Sequence, residues 1–100
     1  MKVMRMLYDQ CMEELEGAIC YAKCATEYAQ MDPEMSKMYL SMAKTELDHA
    51  KALHSAAQKK ATSKMGKEDI DPRLMELWEE MESVKIDKMA MAKAYVDNAS

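Results

Sequence analysis

Hydrophobic positions recur with helical spacing along nearly the whole chain. In the first third, one row with alternating steps of three and four residues is apolar throughout, at positions 4, 8, 11, 15, 18, 22, 25 and 29. A helix that buries one face against a core has this pattern. No stretch alternates with the period of two residues that a half-buried strand requires. The pattern therefore predicts an all-α chain.

Two breaks divide the pattern into three helices. Asp32-Pro33 and Asp71-Pro72 each place a proline suited to the first turn of the following helix, and Asp71 is the expected N-cap of the third helix. The segment from Thr62 to Gly66 has the composition of a loop. We predict helices over about 3–31, 33–62 and 71–97, in one domain that spans residues 1–100. The short turn at Asp32-Pro33 makes the first two helices antiparallel neighbours.

The third helix carries its own apolar row, interrupted only by Lys88, at positions 70, 74, 77, 81, 84, 88, 91 and 95. We interpret this row as a face that needs cover. A chain this short buries only about 60–65% of its unfolded surface and often gains stability by oligomerising. The row therefore favours a homodimer or a higher homo-oligomer.

Ionisable residues interrupt the apolar rows of the first two helices. Glu14 is the only charged member of the row from position 7 to 28, and the row from 35 to 56 contains Glu46 and His49. With a turn near residue 32, antiparallel helices place residues whose numbers sum to about 64 side by side, so these three residues share a level. A carboxylate on a buried face needs a cation or hydrogen bonds.

Glu46-Leu47-Asp48-His49 is a Glu-x-x-His motif whose two ionisable side chains project from one helix face. Dinuclear metal sites in helix bundles use one Glu from each of two helices and Glu-x-x-His from each of two others. This chain holds half of that set, so a complete site requires two chains related by a two-fold axis. The alternative is an ion-paired Glu46 and a structural His49 in a non-enzymatic helical interaction protein, with the site empty or relict.

The segments Glu13–Tyr21 and Thr45–Ala50 resemble a ferritin-like hairpin of the rubrerythrin type, and more closely the encapsulated ferritins. The resemblance covers about residues 7–58. It implies a four-helix bundle completed by dimerisation, with iron bound by Glu14, Glu46 and His49 and with Tyr21 hydrogen-bonded nearby. It also implies ferroxidase or peroxide-reducing chemistry, with manganese or zinc as alternative metals. Whether the chain is an enzyme stays open at this point.

Other residues admit more than one interpretation. Glu16 lies on a polar row typical of a solvated face, and the alternative is a peripheral cation site with Glu13. The tyrosines are amphipathic packing residues or redox groups. Cys20 and Cys24 stand four residues apart, and with the methionines they could hold Cu(I), although methionine at helical spacing usually fills a core.

Charge and cysteine content exclude several classes of partner. The net charge is −4, and the basic run from Lys51 to Lys67 has no aromatic residue, so we expect no nucleic acid. That run and the acidic run after it form two solvated faces or a head-to-tail contact in an oligomer. The longest run without charge is seven residues, so we expect no membrane span. Three cysteines without a CxxC pair indicate reduced thiols in a cytoplasmic protein.

Overall fold

The computed structural model describes residues 2–65 and 71–100, which form three helices and, within those ranges, no strand. The helices are α1 (Lys2–Tyr28), α2 (Pro33–Met65) and α3 (Pro72–Ala99). The all-α prediction is confirmed. None of the described helices has the apolar length that a membrane crossing requires.

Aspartate side chains cap α2 and α3, and the cap at Asp71 is the one that the sequence predicts. Asp32 Oδ1 accepts a hydrogen bond from the Met35 amide at 3.2 Å, and Asp71 Oδ1 accepts one from the Arg73 amide at 2.9 Å. The prediction of a loop from Thr62 onward is wrong for residues 62–65, because α2 continues to Met65. Residues 62–65 contain neither glycine nor proline, so nothing in them ends a helix. Gly66 lies outside the described residues.

Helices α1 and α2 form the predicted antiparallel hairpin. Near its middle the Cys11 thiol donates to the Ala50 carbonyl at 3.4 Å, and near the turn the Ser36 hydroxyl donates to the Ala25 carbonyl at 2.6 Å. The apolar row of α1 is largely buried, as predicted, at Met4, Cys11, Leu15, Ala18, Ala22 and Ala25. The small alanine side chains let the two helix backbones approach closely.

Helix α3 runs parallel to α1 and packs more extensively on α1 than on α2. Near the start of α3, Trp78 joins the core around Met4 of α1. Farther along, Lys88 bonds Glu16 of α1 at 2.5 Å. Near the end of α3, the Tyr95 ring lies under the ammonium group of Lys23. The result is an elongated three-helix bundle of 57 × 17 × 17 Å.

The hairpin does not cover the apolar row of α3. Five of its members, with 37–52% of each residue exposed, are Leu74, Leu77, Val84, Met91 and Tyr95; we call these residues the α3 seam. Met81 is buried, and Ile70 lies outside the described residues. The buried face of α3 lies beside the seam and consists of Trp78, Met81, Glu82, Lys85, Ala92 and Val96.

A buried ion pair explains why the sequence pattern did not reveal that face. Lys85 is fully buried, and its ammonium bonds the Glu82 carboxylate and lies 5.5 Å from the centre of the Trp78 ring. Gln58 on α2 donates to the other Glu82 oxygen at 2.7 Å. Because the two charges satisfy each other and gain a neutral donor, positions that look polar in the sequence occupy the core.

Candidate metal centre

The side chains of Glu14, Glu46 and His49 converge on one side of the hairpin. Each offers a ligand atom, and these atoms all lie within 4.8 Å of one another. The His49 Nδ1 and Glu14 Oε2 atoms are 3.6 Å apart. One residue comes from α1 and the other two from successive turns of α2. The sequence therefore predicted correctly that these three residues meet, and their binding of a metal stays a prediction.

Two carboxylates lie side by side in this group with little positive charge to balance them. Sharing a hydrogen bond with Glu14 raises the pKa of Glu46 above its ordinary value, and burial and the negative charge of Glu14 act in the same direction. His49 opposes the shift. Among the described ion pairs, none joins either carboxylate to a lysine or an arginine. The alternative of a lysine-paired Glu46 therefore finds no support.

Gly17 makes room for the Glu46 carboxylate. A Cβ atom at this position would meet Glu46 Oε2 at 3.0 Å and Glu46 Cδ at 3.4 Å. Glycine within a helix destabilises it by roughly 0.5–1 kcal/mol relative to alanine. Our sequence reasoning gave Gly17 no role, although a glycine in the middle of a long helix was a usable signal.

The three residues open onto the surface. Glu14 and His49 line a groove of about 530 Å³, together with Gln10, Glu13, Ala52 and Leu53. The His49 side chain is 56% exposed and that of Glu14 is 29% exposed. Glu14 and Lys23 are nine residues apart, which places them on opposite faces of α1 at 3.6 residues per turn. Lys23 faces α3, so the metal-site residues lie on the side of the hairpin away from α3.

Half-buried apolar side chains continue this face of the hairpin on both sides of the site, at Leu7, Tyr21, Tyr28, Met35, Tyr39 and Leu53. We call this surface the site face. Met38 and Met42, on the same side of α2, are 47% and 37% exposed. The site face therefore combines an apolar surface with a charged centre.

Tyr21 and Glu16 do not join the group of three. The Tyr21 ring stacks on Tyr39 at 6.1 Å between centroids, and Tyr39 stacks on Tyr28 at 5.9 Å. Among the side-chain hydrogen bonds of the described residues, none connects Tyr21 to the site carboxylates. Glu16 bonds Lys88 on α3, and this hydrogen bond and charge lower the pKa of Glu16.

His54 belongs to the second ionisable cluster, around Glu82 and Lys85. Its Nδ1 is buried, has no hydrogen-bond partner among the residues that the structure describes, and lies 4.0 Å from Glu82 Oε2. Burial lowers the pKa of His54, the charge of Lys85 lowers it further and the charge of Glu82 opposes both. His54 therefore lies against the buried ion pair of α3, in a structural position.

The three cysteines are free thiols in different surroundings. Cys11 is buried, Cys24 is half-buried and Cys20 is exposed. Burial raises the pKa of the Cys11 thiol. A neutral thiol in the core behaves as a small apolar side chain.

Comparisons with known proteins leave the assignment of the site to its geometry. No protein-family model, curated protein or solved structure matches this chain. What distinguishes the site is the donor set itself, two carboxylates and one imidazole that converge from two helices.

Proposed function

We propose that this chain is a ferritin-like, non-haem di-iron carboxylate protein whose metal site is shared by two copies of the chain. Di-manganese is the alternative metal content. The observation that carries the proposal is the convergence of Glu14, Glu46 and His49 without a lysine or arginine partner among the described residues. Adjacent carboxylates repel each other, and a divalent cation between them removes that repulsion.

The donor set suits a first-row transition metal. Carboxylate oxygens and imidazole nitrogens are ligands for iron, manganese and zinc. Three protein ligands leave the coordination of two metal ions incomplete, and a second copy would contribute the same three. The two chains would then supply four carboxylates and two imidazoles, which is the ligand set of carboxylate-bridged sites in helix bundles. The apolar residues of the site face give that second copy a surface on which to pack.

Each residue of the group has a role in this proposal. Glu46 and its counterpart in the second copy would bridge the two metal ions, with Glu14 and His49 as terminal ligands. Without metal, the Glu46 carboxyl holds a proton more strongly than usual because Glu14 lies beside it. Metal binding would displace that proton, since a ligating carboxylate is deprotonated. Bound iron would supply the redox chemistry, the oxidation of Fe(II) by oxygen or peroxide.

Metal content of purified variants tests the proposal. We expect about one iron per chain after anaerobic loading with Fe(II), because two chains share two ions. Glu14→Ala should abolish this binding. Glu16→Ala is the matched control, because Glu16 is two residues away on the same helix and bonds Lys88 instead. Wild-type protein that retains no iron would favour the alternative, an interaction protein with a relict site.

Molar mass with and without metal tests the sharing of the site. We expect metal-loaded protein to contain at least two chains in light scattering. A stable monomer that still holds iron with full occupancy would contradict the shared site while leaving metal binding intact.

A further inference from the structure

The α3 seam has the spacing of a helix–helix contact. Its members are spaced by three, four or seven residues. The buried Met81 and the charged Lys88 occupy the positions within the two gaps of seven. Apolar residues that alternate by three and four form the seam of paired helices. From Leu74 to Tyr95 the seam is about 31 Å long, at 1.5 Å per residue. Single exposed hydrophobic residues are ordinary, whereas a continuous apolar stripe marks an interaction surface.

We infer that the α3 seam binds the α3 seam of a second copy, with the two helices antiparallel about a two-fold axis at Val84. In this alignment, residues whose numbers sum to about 168 face each other. Val84 then faces Val84 of the second copy, and Leu77 faces Met91. Leu74 and Tyr95 face each other with an offset of one residue. Each apolar member of the seam finds an apolar partner, which is the self-complementarity that a two-fold contact requires.

Charge selects the antiparallel direction and the second copy as the occupant. In the same alignment, Glu80 beside the seam faces Lys88 of the other copy, and the contact occurs twice. A parallel pair would place Glu80 against Glu80 and Lys88 against Lys88, and like charges in contact destabilise an interface. The Lys88 side chain is 25% exposed, and its bond to Glu16 orders the ammonium group.

The N-terminal end of the seam adds a second complementary contact. Arg73 and Tyr95 also have numbers that sum to 168. An arginine guanidinium over a tyrosine ring makes a favourable cation–π contact. The Arg73 side chain is 87% exposed within one chain, and its guanidinium contacts Asp71 at 3.3 Å. Both ends of the two-fold contact would gain this interaction.

The inferred contact is separate from the proposed metal site. The α3 seam lies on α3, and the site face lies on the hairpin on the side away from α3. Loss of metal binding would leave the seam unchanged, and disruption of the seam would leave all three ligands in place. Two independent two-fold surfaces on one chain would build assemblies larger than a dimer.

Molar mass in the presence of a chelator tests the α3 contact first. Val84→Glu places two carboxylates on the axis, so we expect the mass of the wild-type assembly to fall by half. Ile86→Glu is the matched control, because Ile86 is 52% exposed on the same helix but lies outside the seam. It should leave the mass unchanged. Circular dichroism of both variants separates dissociation from loss of the fold.

Disulfide cross-linking then locates the contact. In a Cys20→Ser background, Val84→Cys should give a covalent dimer under mild oxidation, whereas Ile86→Cys should not. Glu46→Gln added to the same background should not change the cross-link, which separates this result from a failure of the metal site. A wild-type chain that stays monomeric, or equal cross-linking at positions 84 and 86, overturns the inference.

Discussion

Replacing Glu46 by glutamine removes one of two neighbouring negative charges while keeping the shape of the side chain. Two like unit charges at about 4 Å repel by about 1 kcal/mol in water and by about 4 kcal/mol at the lower effective dielectric constant near a protein surface. Glu46 is half-buried, and the neighbouring Glu14 raises its pKa, so the environment disfavours the charged form of Glu46. We therefore expect metal-free Glu46→Gln to be as stable as wild type or more stable by about 1 kcal/mol, near the lower limit of that range.

The same substitution should have the opposite effect when metal is present. A ligand that binds only the folded state adds about 2.7 kcal/mol at a concentration one hundred times its Kd. In a domain of about 100 residues, 1 kcal/mol corresponds to a shift of about 4–8 °C in Tm. Wild type should therefore gain about 10–20 °C with Fe(II) or Mn(II), and Glu46→Gln should lose most of that gain.

Thermal melts of both proteins, with chelator and with metal, measure the two effects together. The comparison has an internal control, because a general loss of packing would lower Tm in both conditions. If Glu46 were an ordinary surface residue, its substitution would change Tm little and metal would shift neither protein. A wild type without a metal-dependent shift would refute the reasoning.

Three further predictions concern neighbouring features. Gly17→Ala should maintain or raise the metal-free Tm through helix propensity, yet weaken iron binding roughly tenfold in a titration, because its methyl group displaces a ligand. Glu82→Gln should cost about 3–5 kcal/mol in urea unfolding by leaving Lys85 buried without a counter-charge, whereas Lys93→Gln in an exposed pair should leave the urea midpoint nearly unchanged. The pKa of His54 is lowered in the folded chain, so the unfolded chain binds the imidazole proton more strongly. The contribution of neutral His54 to stability is therefore complete above pH 6.5 and is lost as the pH falls from 6.5 through the folded pKa. His54→Gln should flatten the dependence of urea stability on pH between the folded pKa and pH 6.5.

The sequence was most informative where a local rule determines the structure. Pro33 indicated the start of α2, and Asp71 with Pro72 indicated the start of α3, because a proline in the first turn and a capping carboxylate both act locally. The buried row of α1 followed from periodicity alone. The meeting of Glu14 with the Glu-x-x-His pair followed from one further step, since a short turn fixes which residues of a hairpin share a level.

The sequence was least informative where two charged residues neutralise each other inside the core. Glu82 and Lys85 look like surface residues, and only the three-dimensional arrangement reveals that they are buried and bonded to Gln58 of α2. Their burial turns the apolar row of α3 toward the surface. Gly17 is a second case, because the atom that needs the space belongs to another helix.

The two ionisable clusters of this bundle differ in how their charges are satisfied. Glu82 and Lys85 carry opposite charges, and a neutral amide completes their hydrogen bonds. The charges of this cluster are therefore closed on themselves, and its one unsatisfied atom among the described residues is the neighbouring His54 Nδ1.

The cluster of Glu14, Glu46 and His49 lacks that balance. The neighbouring Glu14 raises the pKa of Glu46, the His49 side chain is more than half exposed, and a glycine makes room for one of the acids. Each of these features carries a cost in stability for a small domain that has little to spare. The costs have a common physical explanation if a cation occupies the space between the ligand atoms, since positive charge would relieve the repulsion and use the room that Gly17 provides. The contrast between a closed cluster and an open one within the same chain is therefore the strongest structural argument that the open one binds a metal.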